Sequence, residues 1–253
     1  MIKLLSYQTP SEIQKHSDLK EIFKNEIQLL GVTEANAKDA IKMEFDILEI
    51  PMTSFKYFIP ELKVMSISAY NVQLADGFVR LKNGVVKEVN SLALAVLQCI
   101  SQQVHNLDTS GRVLICGKAD FLISLTQQFY QTGFVKFILS SIDSSFSSEQ
   151  LKQLRKKHFN IEVNLCKIEE LNQLSILSDI MIINIEEFKD EDLYESLSYF
   201  NFLNRNSIFI DLQDHLYPEL RDEAKRTDLQ VIDSLKVHRQ RYKYLIDLIK
   251  NTP

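Results

Sequence analysis

Apolar and polar positions follow two different rhythms along this chain of 253 residues. From Gly111 onward, short apolar runs (VLICG, VKFILSS, IEVNLC, DIMIINI, SIFIDL, LQVIDS) alternate with longer amphipathic stretches. Nearly continuous apolar strands separated by helices predict a parallel sheet covered on both faces, a Rossmann-like α/β arrangement. The spacing predicts helices from the Gly117 loop to Thr132-Gly133, from Ser148 to His158, a short one after IEVNLC, another after DIMIINI, and one over Glu219 to Arg226. A last helix, about Leu235 to Lys250, places Leu235, His238, Tyr242, Leu245, Ile246 and Ile249 on one stripe that needs a surface to pack on. Before Gly111 the pattern is irregular. Ile13, Leu19, Ile22, Phe23, Ile27 and Leu30 predict one helix from Ser11 to a C-cap at Gly31. Short apolar runs follow at Met43 to Ile50 and Leu62 to Tyr70. FVRLKNGVVKEV alternates around Asn83-Gly84 and reads as a β-hairpin, and Ser91 to Ser101 reads as a buried helix that ends the first domain.

Composition narrows the function classes. With 45% hydrophobic and 25% charged residues and a net charge of −5, the chain is an ordinary folded protein, and nothing in its charge calls for nucleic acid or an anionic membrane. The first ten residues do not form a signal peptide and no stretch has the roughly 18 apolar residues of a membrane span, so a cytoplasmic location is expected. Only 6 glycines occur, few for a chain with the Gly-rich loops that cradle phosphates. Cys99, Cys116 and Cys166 each lie in or beside an apolar run and read as reduced core thiols, since no CxxC or close Cys/His pair exists. No metal site is expected: Asp211, Asp214 and His215 read as a solvated loop, and Lys236, His238, Arg239, Arg241 and Lys243 as the solvated face of the last helix. His16, His105 and His158 are isolated and carry no assigned role. Hydrolase, P-loop, zincin and EF-hand patterns are missing.

The stretch IFIDLQDHLYPELRDEAKRTDLQVIDSLKVHRQRYKYLIDLI resembles shikimate dehydrogenases, in which a strand ends in Asp, a Pro-containing loop leads into a helix of the type LLREAK, a short strand reads VVDG and a last helix follows. The matching pieces are Asp211, Pro218, Glu219 to Arg226, Val231-Ile232-Asp233 and Leu235 onward. Upstream, KNGVVKEVNSLALAVLQCI resembles the family's hairpin, Asn-Thr-Asp triplet and linking helix. The resemblance implies an N-terminal α/β domain over 1–105 equivalent to the family's substrate domain. It further implies a Rossmann-like domain over 106–234 and a C-terminal helix over 235–253 returning to the N-terminal domain.

The departures bear on chemistry. The family's catalytic Lys maps to Asn71 and its catalytic Asp to Leu92, in the triplet Asn90-Ser91-Leu92, so neither an amide nor an alkyl group can move a proton. An Asn-Thr pair becomes Gly77-Phe78, and a Ser-x-Ser becomes Tyr7-Gln8-Thr9. The C-terminal Gln falls at Gln240 or Arg241. Thr9, Asn90, Asp211 and Gln240 are therefore the residues left to line a substrate cleft. The dinucleotide loop G-x-G-x-x-G becomes Gly117-Lys118-Ala119-Asp120-Phe121. Asp120 puts a negative charge in the first helical turn, opposing a pyrophosphate there by about 1 kcal/mol, with Lys118 as an offset. After the second strand, Ser140-Ser141-Ile142-Asp143 carries no Arg for a 2′-phosphate; Asp143 is a candidate for a ribose diol, against a loop in which Ser147 and Gln150 form a capping box. Near the nicotinamide, Asn-Ala-Thr-Pro becomes Asn184-Ile185-Glu186-Glu187. Gly117, Lys118, Ala119 and Asp143 are thus the cofactor candidates, with no cofactor expected and NAD or NADP as the alternatives. The expectation is a shikimate dehydrogenase-like protein without catalysis, a binding or scaffold module for a protein partner or a small molecule in the interdomain cleft, with a homodimer also open. The alternative is a divergent NAD(P)-dependent oxidoreductase acting on a small hydroxy or keto acid.

Overall fold

The structure is a computed structural model that describes residues 1–62, 65–66, 74–104, 107–142, 146, 148–186, 197–214 and 216–252. It divides into two compact units, Met1–Val96 with Val237–Pro253, and Leu97–Lys236. Among the described residues no helix is long and apolar enough to cross a membrane.

The first unit is built on a five-stranded sheet. Strand β1 (Ile2–Tyr7) runs parallel to β2 (Ile27–Thr33) on one side and β3 (Ile47–Glu49) on the other, and β4 (Gly77–Arg80) and β5 (Val86–Val89) add antiparallel beyond β3. Residue parity along each strand sorts the core. Leu4, Ile47 and Val79 point to one face, Leu5, Leu48 and Phe78 to the other, and each face has its own apolar cluster. The single helix expected from Ser11 to Gly31 is corrected: the segment forms α1 (Glu12–Lys15), α2 (Ser17–Phe23) and β2. Ser11 and Gln14 make a reciprocal capping box that starts α1, and His16, with extended φ and ψ, separates the two helices. From Ile27 the backbone pairs with β1 instead of continuing a helix. Leu4 faces Leu29 and Leu5 faces Gly31, so Leu30 is an extra residue in a bulge, and Gly31 has the positive φ of 101° that the bulge demands rather than capping a helix. The hairpin at Asn83-Gly84 forms as expected, with positive φ at Gly84 alone. Short helices α3 (Ala37–Ala40) and α4 (Phe55–Phe58) cover the second face, and α5 (Ser91–Gln103) follows β5.

The second unit has the six strands that its apolar runs predicted: β6 (Arg112–Gly117), β7 (Lys136–Ser141), β8 (Glu162–Cys166), β9 (Ser178–Ile183), β10 (Leu203–Asp211) and β11 (Gln230–Ile232). All adjacent pairs are parallel, in the order β11-β10-β9-β6-β7-β8. Strand order reverses between β6 and β9, the switch point of a doubly wound sheet. Helices α6 (Ala119–Gln131), α7 (Ser148–Lys157) and α8 (Pro218–Arg226) carry connections between strands, and a 3₁₀ turn (Ile168–Gln173) precedes β9. Leu114, Met181 and Phe209 pack in one cluster, and the opposite-parity Ile115, Ile182 and Ile210 are equally buried. Cys99 and Cys116 are buried and Cys166 half-buried, all as free thiols whose pKa burial pushes up, to about 11 for Cys99 and Cys166.

The last helix, α9 (Ser234–Asn251), sends Tyr242, Leu245, Ile246 and Ile249 into the β1 face of the first unit, beside Ile2, Leu4 and Phe23. Two expectations for it are corrected. Leu235 is exposed, and Val237 takes its place in the core; Arg241, expected on a solvated face, is buried, and so is His238, as its place on the apolar stripe requires. The apolar stripe is wide enough that these two polar residues lie within it, and each has charged partners there.

Candidate functional site

In the first unit, side chains from three segments converge on the Arg241 guanidinium. Parity along β3 puts Glu49 on the same face as Ile47, under α9. There Arg241 Nη1 lies 3.0 Å from Glu49 Oε1, and Tyr242 donates its hydroxyl to the same oxygen at 2.9 Å. The Tyr242 oxygen in turn accepts from the Ile13 N–H of α1 at 3.2 Å. Arg241 Nη2 lies 3.6 Å from Asp76 Oδ2, just ahead of β4, and Nε donates to Ser91 Oγ at 2.8 Å. Asp76 caps α5: it accepts from the Ser91 N–H at 2.8 Å, the Leu92 N–H at 2.6 Å and the Ser91 hydroxyl. Burial alone would lower the Arg241 pKa, but Glu49 and Asp76 hold it above its ordinary value. Burial dominates at Glu49 and pushes that carboxyl up, against the pull of Arg241 and Tyr242.

Next to this network, Glu12 Oε2 lies 3.3 Å from His16 Nε2 and 3.8 Å from His238 Nε2. Burial would raise the Glu12 carboxyl, yet His238 and Lys15 bring it down to about 2.

The structure thus gathers Ser91, Leu92 and Arg241 from the sequence candidates and adds Glu49 and Asp76, which sequence reasoning missed. Their signals were present. Glu49 is a charged residue inside an apolar strand, and Asp76 precedes a helix start by way of a hairpin. Thr9 sits exposed beyond β1, after Gln8 with a φ of 62°, and Asn90 and Gln240 are half-buried. Asn71 lies outside the described residues.

In the second unit the candidates collect at the carboxyl ends of β6, β9 and β10. Gly117 ends β6, and Lys118 is the N-cap of α6 without a side-chain cap bond. A Cβ at Gly117 would lie 2.8 Å from the Phe121 ring and 3.2 Å from the Asn184 carbonyl oxygen, so packing within the chain already requires glycine here. Lys118 Nζ pairs with Glu186 at 3.1 Å, both side chains being more than half exposed. The second glycine position is Ala119, and the third is Leu122, fully buried. With Asp120 in the first turn and Glu186 across from it, these residues do not fit a dinucleotide pyrophosphate. Asp143, Ser147 and His215 lie outside the described residues.

Asp211 and Asp214 are buried, which corrects the solvated-loop expectation. Asp214 caps α9 by accepting from the Ser234 N–H at 3.0 Å and from its hydroxyl, and Arg221 lies 3.9 Å away. The start of α9 accounts for the burial of this carboxylate. Asp211 accepts the Gln213 N–H at 2.9 Å, and burial raises its pKa to about 7, with Asp214 adding to the rise. Gln213 bridges to Asn184 at 3.0 Å.

No protein-family model matches the chain, and no curated protein matches it significantly by sequence. Solved structures do. A shikimate 5-dehydrogenase from Listeria monocytogenes in complex with shikimate and NAD superposes with a TM-score of 0.74 at 15% identity, covering 99% of this chain and 91% of the other. The shikimate dehydrogenase of Mycobacterium tuberculosis gives 0.70 at 11% identity, with 100% and 95% covered. A quinate dehydrogenase from Corynebacterium glutamicum in complex with NAD gives 0.70 at 12%, with 99% and 94% covered. The chain has the fold of the shikimate dehydrogenase-like proteins.

Proposed function

We propose that this chain is a shikimate dehydrogenase-like protein that has lost catalysis and serves as a binding or scaffold module for a small molecule or a protein partner. One observation carries the reading. Where the resemblance places the catalytic carboxylate, the chain has Leu92, and the nearest carboxylate, Asp76, accepts hydrogen bonds from the Ser91 and Leu92 backbone and from the Ser91 hydroxyl, beside Arg241. A carboxylate whose lone pairs are taken up by fixed donors in a helix cap is a structural anion, unsuited to accepting a substrate proton. The residues around Gly117 point the same way, because their glycine is required by Phe121 and their first turn is acidic.

The test is turnover of shikimate and quinate with NAD and NADP, followed spectrophotometrically, beside thermal-shift titrations with the same compounds. No turnover is expected with either cofactor. Clear turnover that disappears in an Asp76→Asn variant of unchanged melting temperature would overturn the reading. The alternative, a divergent NAD(P)-dependent oxidoreductase on a small hydroxy or keto acid, is favoured by Gly117 at the switch point of a complete six-stranded parallel sheet. A tight NAD dissociation constant would favour it.

A further inference from the structure

We propose that Glu12, His16 and His238 form a binding site for a divalent transition-metal ion, zinc foremost, with water completing the coordination. One ligand atom from each of the three lies within 4.8 Å of the other two. A tetrahedral zinc with bonds of about 2.0–2.1 Å sets its ligand atoms about 3.3 Å apart. The Glu12–His16 separation of 3.3 Å already has that value, and Glu12–His238 at 3.8 Å needs only a small contraction.

The donors come from two elements, α1 and α9. Glu12 opens α1 behind the capping box of Ser11 and Gln14, and its other oxygen, Oε1, accepts from Lys15 at 2.9 Å, which turns Oε2 toward the imidazoles. His16 closes the same helix, its backbone N–H bonded to the Glu12 carbonyl at 3.0 Å, so the Glu-x-x-x-His pair is fixed in register. His238 comes from α9 across the sheet face. The two rings lie with their centroids 6.0 Å apart and their planes inclined at 27°.

Two imidazole nitrogens and one carboxylate oxygen suit zinc, cobalt or nickel rather than calcium or magnesium. The Glu12 and His16 side chains keep 15% and 16% of their surface in solvent, and His238 4%, which leaves an approach for the ion and its water. The nearby cation Arg241 is balanced by Glu49 and Asp76.

Protein stripped with a chelator is titrated with Co²⁺, read by visible absorption, and with Zn²⁺, read by displacement of cobalt and by melting temperature. One equivalent of cobalt with tetrahedral-type bands is expected, displaced by zinc, with a rise in melting temperature. Glu12→Gln and His16→Gln, both at partly exposed positions, and His238→Gln should each weaken binding at least tenfold. His158→Gln, a histidine remote in sequence, should leave it unchanged. If His238→Gln fails to fold, the other two variants decide. Absence of stoichiometric cobalt binding, binding unaltered in Glu12→Gln and His16→Gln, or an intense thiolate band that vanishes in Cys166→Ser would each overturn the proposal.

Discussion

Glu12, beside the last helix, and Asp211, at the end of β10, are both largely withdrawn from water, yet their carboxyls titrate in opposite directions. Glu12 is drawn down to about 2 because His238 and Lys15 face it. Asp211 rises to about 7 because burial is opposed chiefly by one backbone N–H, while Asp214 adds a like charge. The desolvation cost is common to the two, and the neighbours decide its outcome. In the first unit Glu12 and Arg241 are buried beside counter-charges that keep them ionised, whereas the carboxyl end of the second unit's sheet holds a carboxyl that is easier to keep protonated. Arg241 is the extreme of the first kind, with its head group between two carboxylates, and it offers the largest test of the contrast. Arg241→Met should destabilise the protein by about 3–5 kcal/mol, measured as a fall in urea midpoint, because Glu49 and Asp76 would lose the buried cation between them. Adding Glu49→Gln to Arg241→Met should recover part of that loss. An effect below about 1 kcal/mol would mean that the network contributes nothing beyond filling space.

Asp211 predicts the reverse behaviour. Its carboxyl titrates near 4 when unfolded and about 7 when folded, so between those values the folded protein holds a proton that the unfolded chain has released. The contribution from this group is intact below pH 4, declines as pH rises to 7, and above that costs up to about 4 kcal/mol. Asp211→Asn keeps an acceptor for the Gln213 N–H and should be more stable than the parent at pH 8, by about 2 kcal/mol or more, with the two converging near pH 4. A parent stability that does not fall over this range, or an Asn variant weaker at pH 8, would contradict the raised pKa.

Glu12 gives the acid-side counterpart. With the folded carboxyl depressed to about 2, its contribution is complete above pH 4.5 and is lost as pH falls toward 2. Glu12→Gln should therefore cost about 2–3 kcal/mol near pH 6 and very little at pH 2, read from melting curves across that range in metal-free buffer.

The same contrast explains what could be read from the sequence. In the second unit, both faces of each central strand are buried, so apolar runs mark the strands directly, and all six were legible. In the first unit the strands are short and a bulge interrupts the pairing at Leu30, so Ile27 to Thr33 imitates a helical spacing. The site was legible by position only. Leu92 and Gly117 were found from their place in a pattern, but Glu49 lies 192 residues before Arg241 in the chain, and no local spacing relates them. His16 looked isolated for the same reason, since its partner His238 is brought to it by the packing of Tyr242 and Leu245 on β1. Long-range charge pairing has no period, whereas strand burial does.

The smallest expected effect on stability concerns the Lys118–Glu186 pair, which is exposed and lies at the edge where the second unit would meet an anionic ligand. An ion pair in high dielectric contributes under about 1 kcal/mol, so Glu186→Gln should leave the melting temperature nearly unchanged. Its value lies in what it separates. If the acidic edge alone keeps a dinucleotide away, then Glu186→Gln combined with Asp120→Asn removes two negative charges facing the α6 N-terminus and should raise NADP affinity severalfold in calorimetry. If Phe121 against Gly117 and the buried Leu122 have reshaped the turn as well, the double variant should bind no better than the parent. The packing distances favour this second outcome, because a ring carbon 2.8 Å from the Gly117 Cβ position already occupies the space that the glycine leaves open. A severalfold gain would show instead that the pocket survives and that charge alone closes it, which would move the functional reading toward the divergent oxidoreductase.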